Sequence, residues 1–122
     1  MSDNQEITIN SIKERLRDFT EVRDWDQFHS PKNLSMALSV EVAEITEHFQ
    51  WLTEEQSQNL SPNKRNEVER ELADTLIYLI RLADKLDIDL LAAAHSKIEI
   101  NEQKYPVSKA KGTSKKYTEL DK

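Results

Sequence analysis

Glu41 and Glu44 stand three apart in the stretch SVEVAEITEHFQW, and Glu71 and Asp74 stand three apart in EVERELADTL. Acids spaced i, i+3 share one face of a helix, so two such helices packed side by side can bring four carboxylates together. Each pair adjoins an apolar stripe. At about 100° per residue, Leu34, Leu38, Val42, Ile45, Phe49 and Leu52 fall in a sector roughly 80° wide, with Glu41 at its edge and Glu44 next to it. Glu71 and Asp74 flank a second stripe of Val68, Leu72, Leu76, Leu79, Ala83 and Leu86, and Tyr78 lies one turn beyond. A carboxylate held near a core is costly unless something neutralises it. Four anions in one place repel strongly, and the arrangement makes sense chiefly with divalent cations. All-oxygen ligation favours the hard ions Mg²⁺ or Mn²⁺ over zinc. Periodicity alone leaves a second reading open, in which the four acids are ordinary solvated residues of an acidic helical protein.

A third helical segment carries further chemistry. Leu90, Ala94, Ile98 and Tyr105 mark its inward face, yet Asn101 sits inside that sector and Lys97 on its border. Buried polar groups need partners, and a ligand could supply them. The alternative is Asn101 bonded to backbone and Lys97 snorkelling to solvent. Trp25 and Trp51 flank the ends of the helix that holds the first acidic pair, as core plugs or as stacking surfaces. His29, His48 and His95 lack HExxH spacing, which argues against a zinc hydrolase. No Ser/His/Asp or Cys nucleophile pattern supports a covalent route.

The elements that must position these residues are helices. A single Gly, Gly112, and three Pro leave few tight turns and argue against strands. Ser11-Ile-Lys-Glu14 reads as a capping box, with Ile9, Ile12, Leu16 and Phe19 at helical spacing to about Val22. After the loop RDWDQFHS, Ser30-Pro31 supplies an N-cap and a proline at the first helical position, opening a helix to about Leu52. The polar run TEEQSQNLSPN connects to a second Ser-Pro start at Ser61-Pro62, and this helix runs to about Leu86. Ile77 and Ile80 widen its apolar surface, so it needs cover on two sides, which points to a subunit interface. Asp87 or Asp89 caps a helix to about Lys104, ended by Tyr105-Pro106. Residues 1–105 thus read as one all-α domain. The tail 106–122, with five Lys against one Glu and one Asp, reads as flexible or draped.

At 122 residues, one domain has a useful core but a large relative surface, and oligomerisation would help it. A net charge of −6 makes the chain a poor general binder of nucleic acid. The absence of Cys removes disulfides and thiolate metal sites. No run approaches a membrane span, and MSDNQEITIN is no signal peptide. The expectation is a cytoplasmic protein.

The segments RDWDQFHSPKNLSMALSVEVAEITEHFQW, EVERELADTLIYLIRLADKLDIDL, KIEINEQKYP and KKYTEL, in this order, resemble the all-α nucleoside triphosphate pyrophosphatases of the MazG-like superfamily, and in particular the dCTP pyrophosphatase branch. The resemblance implies a four-helix MazG-like bundle completed by dimerisation, as a homodimer or a dimer-of-dimers tetramer. It implies that Glu41, Glu44, Glu71 and Asp74 bind Mg²⁺. It implies that Trp25, Trp51, Tyr78 and Asn101 form the base and sugar pocket, with Lys97 near the phosphates. Two departures are Val40, where the superfamily often has an extra Glu, and Leu16, where some relatives carry a His facing the base. The implied reaction is hydrolysis of a nucleoside triphosphate to monophosphate and pyrophosphate, cleansing the nucleotide pool, with dCTP or a modified dCTP preferred. Positioning and charge neutralisation suit phosphoryl chemistry, and Glu44 is assigned to orient the water or take its proton. A ferritin-like di-iron protein would need Glu-x-x-His on two helices, which is missing. A catalytically inactive helical interaction module of the same fold is the alternative.

Overall fold

A chain with one glycine must end its helices on other residues, and at two of those ends this one uses aspartates. The computed structural model describes residues 6–120; residues 1–5 and 121–122, the outer ends of the expected domain and tail, lie outside the described residues. Asp24 and Asp87 adopt left-handed φ of 54° and 55°, a conformation that short polar side chains tolerate best after Gly. Each closes a Schellman-type turn. The Trp25 N–H donates to Thr20 O at 2.9 Å and the Asp24 N–H to Glu21 O at 3.0 Å. The Ile88 N–H donates to Ala83 O at 2.9 Å and the Asp87 N–H to Asp84 O at 3.1 Å.

The described residues form only helices: α1 (Ile9–Val22), α2 (Pro31–Phe49), α3 (Glu54–Ser57), α4 (Pro62–Lys85), α5 (Leu90–Lys104) and α6 (Val107–Ala110), with 3₁₀ turns at Asp26–Phe28 and Tyr117–Glu119. Both Ser-Pro starts are as expected. The Ser30 hydroxyl accepts from the Asn33 N–H and the Ser61 hydroxyl from the Lys64 N–H, each satisfying a donor the first turn would orphan. Asp89, not Asp87, caps α5 by accepting from the Ala92 N–H, because Asp87 is spent on the left-handed turn that ends α4.

Three expectations are corrected. The α1 capping box is Thr8 with Ser11, not Ser11 with Glu14. Thr8 Oγ1 accepts from the Ser11 N–H at 3.0 Å and Ser11 Oγ accepts from the Thr8 N–H at 2.8 Å, so Ser11 sits at the third helical position. Helix α2 stops at Phe49, three residues before Leu52. In the linker beyond it, Thr53 and Gln56 make a reciprocal capping box and fold Glu54–Ser57 into the single turn of α3.

The helices group into two compact units, one through Ile88 and one from Asp89 on. In the first, α2 packs along α4 and α1 packs against α4. Leu34 and Ile80, each 1% exposed, are its most enclosed large side chains, and Val68 and Ala83 are also buried. Each fully buried side chain of this size stabilises by about 1.5–3 kcal/mol. The rest of the expected α4 stripe is not enclosed: Leu72 is 53% exposed, and Leu76, Leu79 and Leu86 are also open. The second unit holds α5, α6 and the final 3₁₀ turn, where Tyr105 meets Tyr117 edge to face at 6.3 Å and Lys104 lies over the Tyr117 ring. On α5 every residue from Leu91 to Gln103 is exposed, Ile98 and Asn101 of the expected inward face among them. No helix among the described residues is long and apolar enough to cross a membrane.

Candidate functional site

The pairing of α2 with α4 brings together three of the four acids that the spacing was expected to gather. Carboxylate oxygens of Glu41, Glu44 and Glu71 lie within 4.8 Å of one another. All three residues are half-buried. The Oε2 atoms of Glu41 and Glu71 are shielded from solvent and have no hydrogen-bond partner, an arrangement that costs free energy unless a proton or cation satisfies it. The electrostatics agree. Burial, and then hydrogen bonding to and repulsion from Glu44, push the Glu41 carboxyl up to about 7, with Asp74 and Glu71 adding to the effect. The Glu71 carboxyl is raised first by hydrogen bonding with Glu44 and then by burial. Asp74 is exposed and stands outside the tight group of three, but its charge acts on both Glu41 and Glu71. A set of oxygen-only donors with two unsatisfied buried oxygens fits a hard divalent cation.

Asp74 also borders a cavity of about 480 Å³ whose floor and walls come from α1, α4 and the loop between α1 and α2. Its apolar lining includes Leu16, Phe19, Trp25, Ile77 and Tyr78. Trp25 is braced edge to face against Phe19, ring centroids 5.6 Å apart, while Arg23 covers Phe19 at 3.7 Å. An acidic cluster and an aromatic cavity therefore share Asp74 as a common border.

Trp25, Tyr78 and Asp74 are thus brought together on one cavity, and Glu41, Glu44 and Glu71 on one cluster. Trp51, in the turn after α2, is 86% exposed and lines neither. Lys97 and Asn101 are exposed residues of α5 in the second unit.

Sequence reasoning missed the cavity's polar wall. Arg81 is 4% exposed. Its Nη2 donates to Asp26 Oδ1 at 3.2 Å and approaches His29 Nδ1 at 3.3 Å, and its Nη1 lies 3.6 Å from Asp84 Oδ2. Asp26 is also held by Lys85 at 2.6 Å. Asp84 accepts from Arg17 Nε at 2.8 Å and from Arg17 Nη2 at 2.5 Å. These ion pairs tie α1 and the following loop to α4 and so fix the cavity's shape. The signal available was a lone arginine inside the run LIYLIRLADKL; Ile12, Leu16 and Phe19, expected only to share helical spacing, face the cavity.

Known proteins share this arrangement of sequence. A sequence model of the MazG-like family matches residues 36–120. Human (Homo sapiens) dCTP pyrophosphatase 1 is 44% identical over 117 residues, covering 94% of this chain and 69% of the human protein. The protein of the same name from Bos taurus is 42% identical with the same coverage. Among solved structures, a pyrophosphatase from Archaeoglobus fulgidus aligns with a TM-score of 0.77 at 37% identity, over 87% of this chain and 99% of that one. The chain belongs to the MazG-like family, in the branch that contains these dCTP pyrophosphatases.

Proposed function

We propose that this protein is a Mg²⁺-dependent nucleoside triphosphate pyrophosphohydrolase that converts deoxynucleoside triphosphates, dCTP or a modified dCTP first, to monophosphate and pyrophosphate. The observation that carries the reading is the acidic cluster with two unpartnered buried oxygens set beside an aromatic cavity through Asp74. One end suits a metal-bound triphosphate and the other a base and sugar. Relatives named dCTP pyrophosphatase 1 and pyrophosphatase support the same chemistry.

Glu41, Glu44, Glu71 and Asp74 would hold the cation. When bound, a divalent ion supplies charge neutralisation to the triphosphate oxygens and acidifies a nearby water. Glu44, between Glu41 and Glu71, orients the attacking water toward the α-phosphorus and takes its proton. Trp25 and Tyr78 offer flat faces to the base. Trp51, Lys97 and Asn101 are retained as substrate-binding residues on the family resemblance alone, Lys97 for the phosphates and Asn101 for the sugar or base; Trp51 is 86% exposed, and Lys97 and Asn101 are exposed residues of α5.

We also propose a homodimer or a dimer-of-dimers tetramer, supported by the open apolar faces of α4 and α5, where Leu72, Leu76, Leu91 and Ile98 stand exposed. An assembly would cover them and complete the bundle. The acidic charge disfavours nucleic acid as a partner. A cytoplasmic role in cleansing the nucleotide pool fits this substrate. Incubation with the eight common nucleotides and Mg²⁺ tests the activity: pyrophosphate released, with deoxynucleotides ahead, supports it, and no pyrophosphate from any of the eight identifies an inactive module.

A further inference from the structure

Two facts about His29 combine. It lines the 480 Å³ cavity together with Arg81, Trp25 and Tyr78, and its Nδ1 faces Arg81 Nη2 at 3.3 Å. A guanidinium can only donate hydrogen bonds. The contact is therefore a hydrogen bond only when Nδ1 is bare, which places the ring proton on Nε2. Arg81 is itself fixed, buried and tethered to Asp26 and Asp84, so it cannot swing away to accommodate the other tautomer. No hydrogen bond to Nε2 is formed among the described residues. Of the neighbouring polar groups, the Thr20 hydroxyl already donates to Arg17 O at 3.0 Å.

We infer that His29, locked by Arg81 as the neutral Nε2–H tautomer, donates a hydrogen bond to a ring carbonyl of the nucleobase in this cavity and so helps set base specificity, with Arg81 as its positioning residue. The inference rests on the pyrophosphatase reading for the presence of a base. It assigns His29 a role that neither its position before the Ser30-Pro31 helix start nor the acidic motif requires. Neutrality has independent support, since burial and then the Arg81 charge hold the imidazole below its usual range, outweighing Asp26. A neutral donor avoids adding a cation beside Arg81 and Lys85 while keeping direction toward an acceptor.

The test has two arms. In ¹⁵N-labelled wild-type protein at pH 7, the His29 ring should show a protonated Nε2 and a bare Nδ1, and titration with dCMP should shift the Nε2–H resonance. In kinetics, His29→Phe should lower kcat/KM for dCTP about ten-fold, the worth of one hydrogen bond, and leave hydrolysis of abasic 2-deoxyribose 5-triphosphate unchanged. His29→Gln, which returns an N–H near the Nε2 position, should recover most of the dCTP loss. A proton on Nδ1, an Nε2–H indifferent to dCMP, or equal losses on both triphosphates overturns the inference while leaving the pyrophosphatase reading intact. A wild type that releases no pyrophosphate from either triphosphate overturns that reading, and the inference with it.

Discussion

Replacing Glu41 by Gln should stabilise the metal-free protein above neutral pH. In the folded chain the Glu41 carboxyl is raised from 4.5 to about 7, so the folded state holds a proton across that window which the unfolded state has released. Stability therefore falls as the pH rises from about 4.5 to 7. Below that window the carboxyl is protonated in both states and contributes nothing; above it the full penalty applies. A displacement from 4.5 to 7 corresponds to about 3 kcal/mol at 1.36 kcal/mol per pH unit. Glu41 is only half-buried, and screening by water reduces this to roughly 1 kcal/mol. In a domain of this size that is about 4 °C in Tm. The assay is a pair of thermal melts in EDTA at pH 5 and pH 8. Glu41→Gln should match wild type at pH 5 and exceed it at pH 8, and part of the pH dependence should survive because Glu71 is raised as well. Added Mg²⁺ should raise the wild-type Tm by mass action and the variant's less. A variant whose offset from wild type is the same at both pH values, or which melts lower at pH 8, would refute the reasoning.

Asp84→Asn should cost about 3 kcal/mol in urea unfolding, because it strips a charge from buried Arg81 as well as from Arg17. Asp84 is held below its usual 3.8 chiefly by the Arg17 hydrogen bond, so its contribution is full above that pH and should fade as the pH falls through its lowered folded-state pKa. Sedimentation at micromolar concentration should give a dimer or tetramer; a stable monomer would remove the reason given for the exposed Leu72 and Leu76. Asn101→Ala should lower kcat/KM more on the preferred nucleotide than on poor ones, flattening the specificity profile, whereas equal losses would make Asn101 structural.

The helices were legible where a local rule acts alone. Ser30-Pro31 and Ser61-Pro62 specify their starts through one side chain and one fixed φ, and both α2 and α4 begin there. The α1 start was misplaced by one turn because Ser11 satisfies the same capping rule either as cap or as partner, and only the extended backbone at Thr8 decides. Three of the four expected carboxylates, Glu41, Glu44 and Glu71, do meet, because i, i+3 spacing beside an apolar stripe brings those helix faces together; Asp74 stands outside the group. The cavity was not, since it depends on Arg81 reaching residues 52 and 55 positions away, and no periodicity encodes a long-range ion pair. The breadth of the apolar surface of α4 was legible, and Leu72, Leu76, Leu79 and Leu86 stand exposed, but helical spacing does not say what covers them.

The most direct measurement is product analysis of dCTP incubated with Mg²⁺ and either wild-type protein or Glu71→Gln. The account predicts dCMP and pyrophosphate in equal amounts from wild type, abolished by EDTA, and no turnover from a Glu71→Gln protein that remains folded. Release of dCDP and inorganic phosphate, or wild-type turnover by Glu71→Gln, would contradict it.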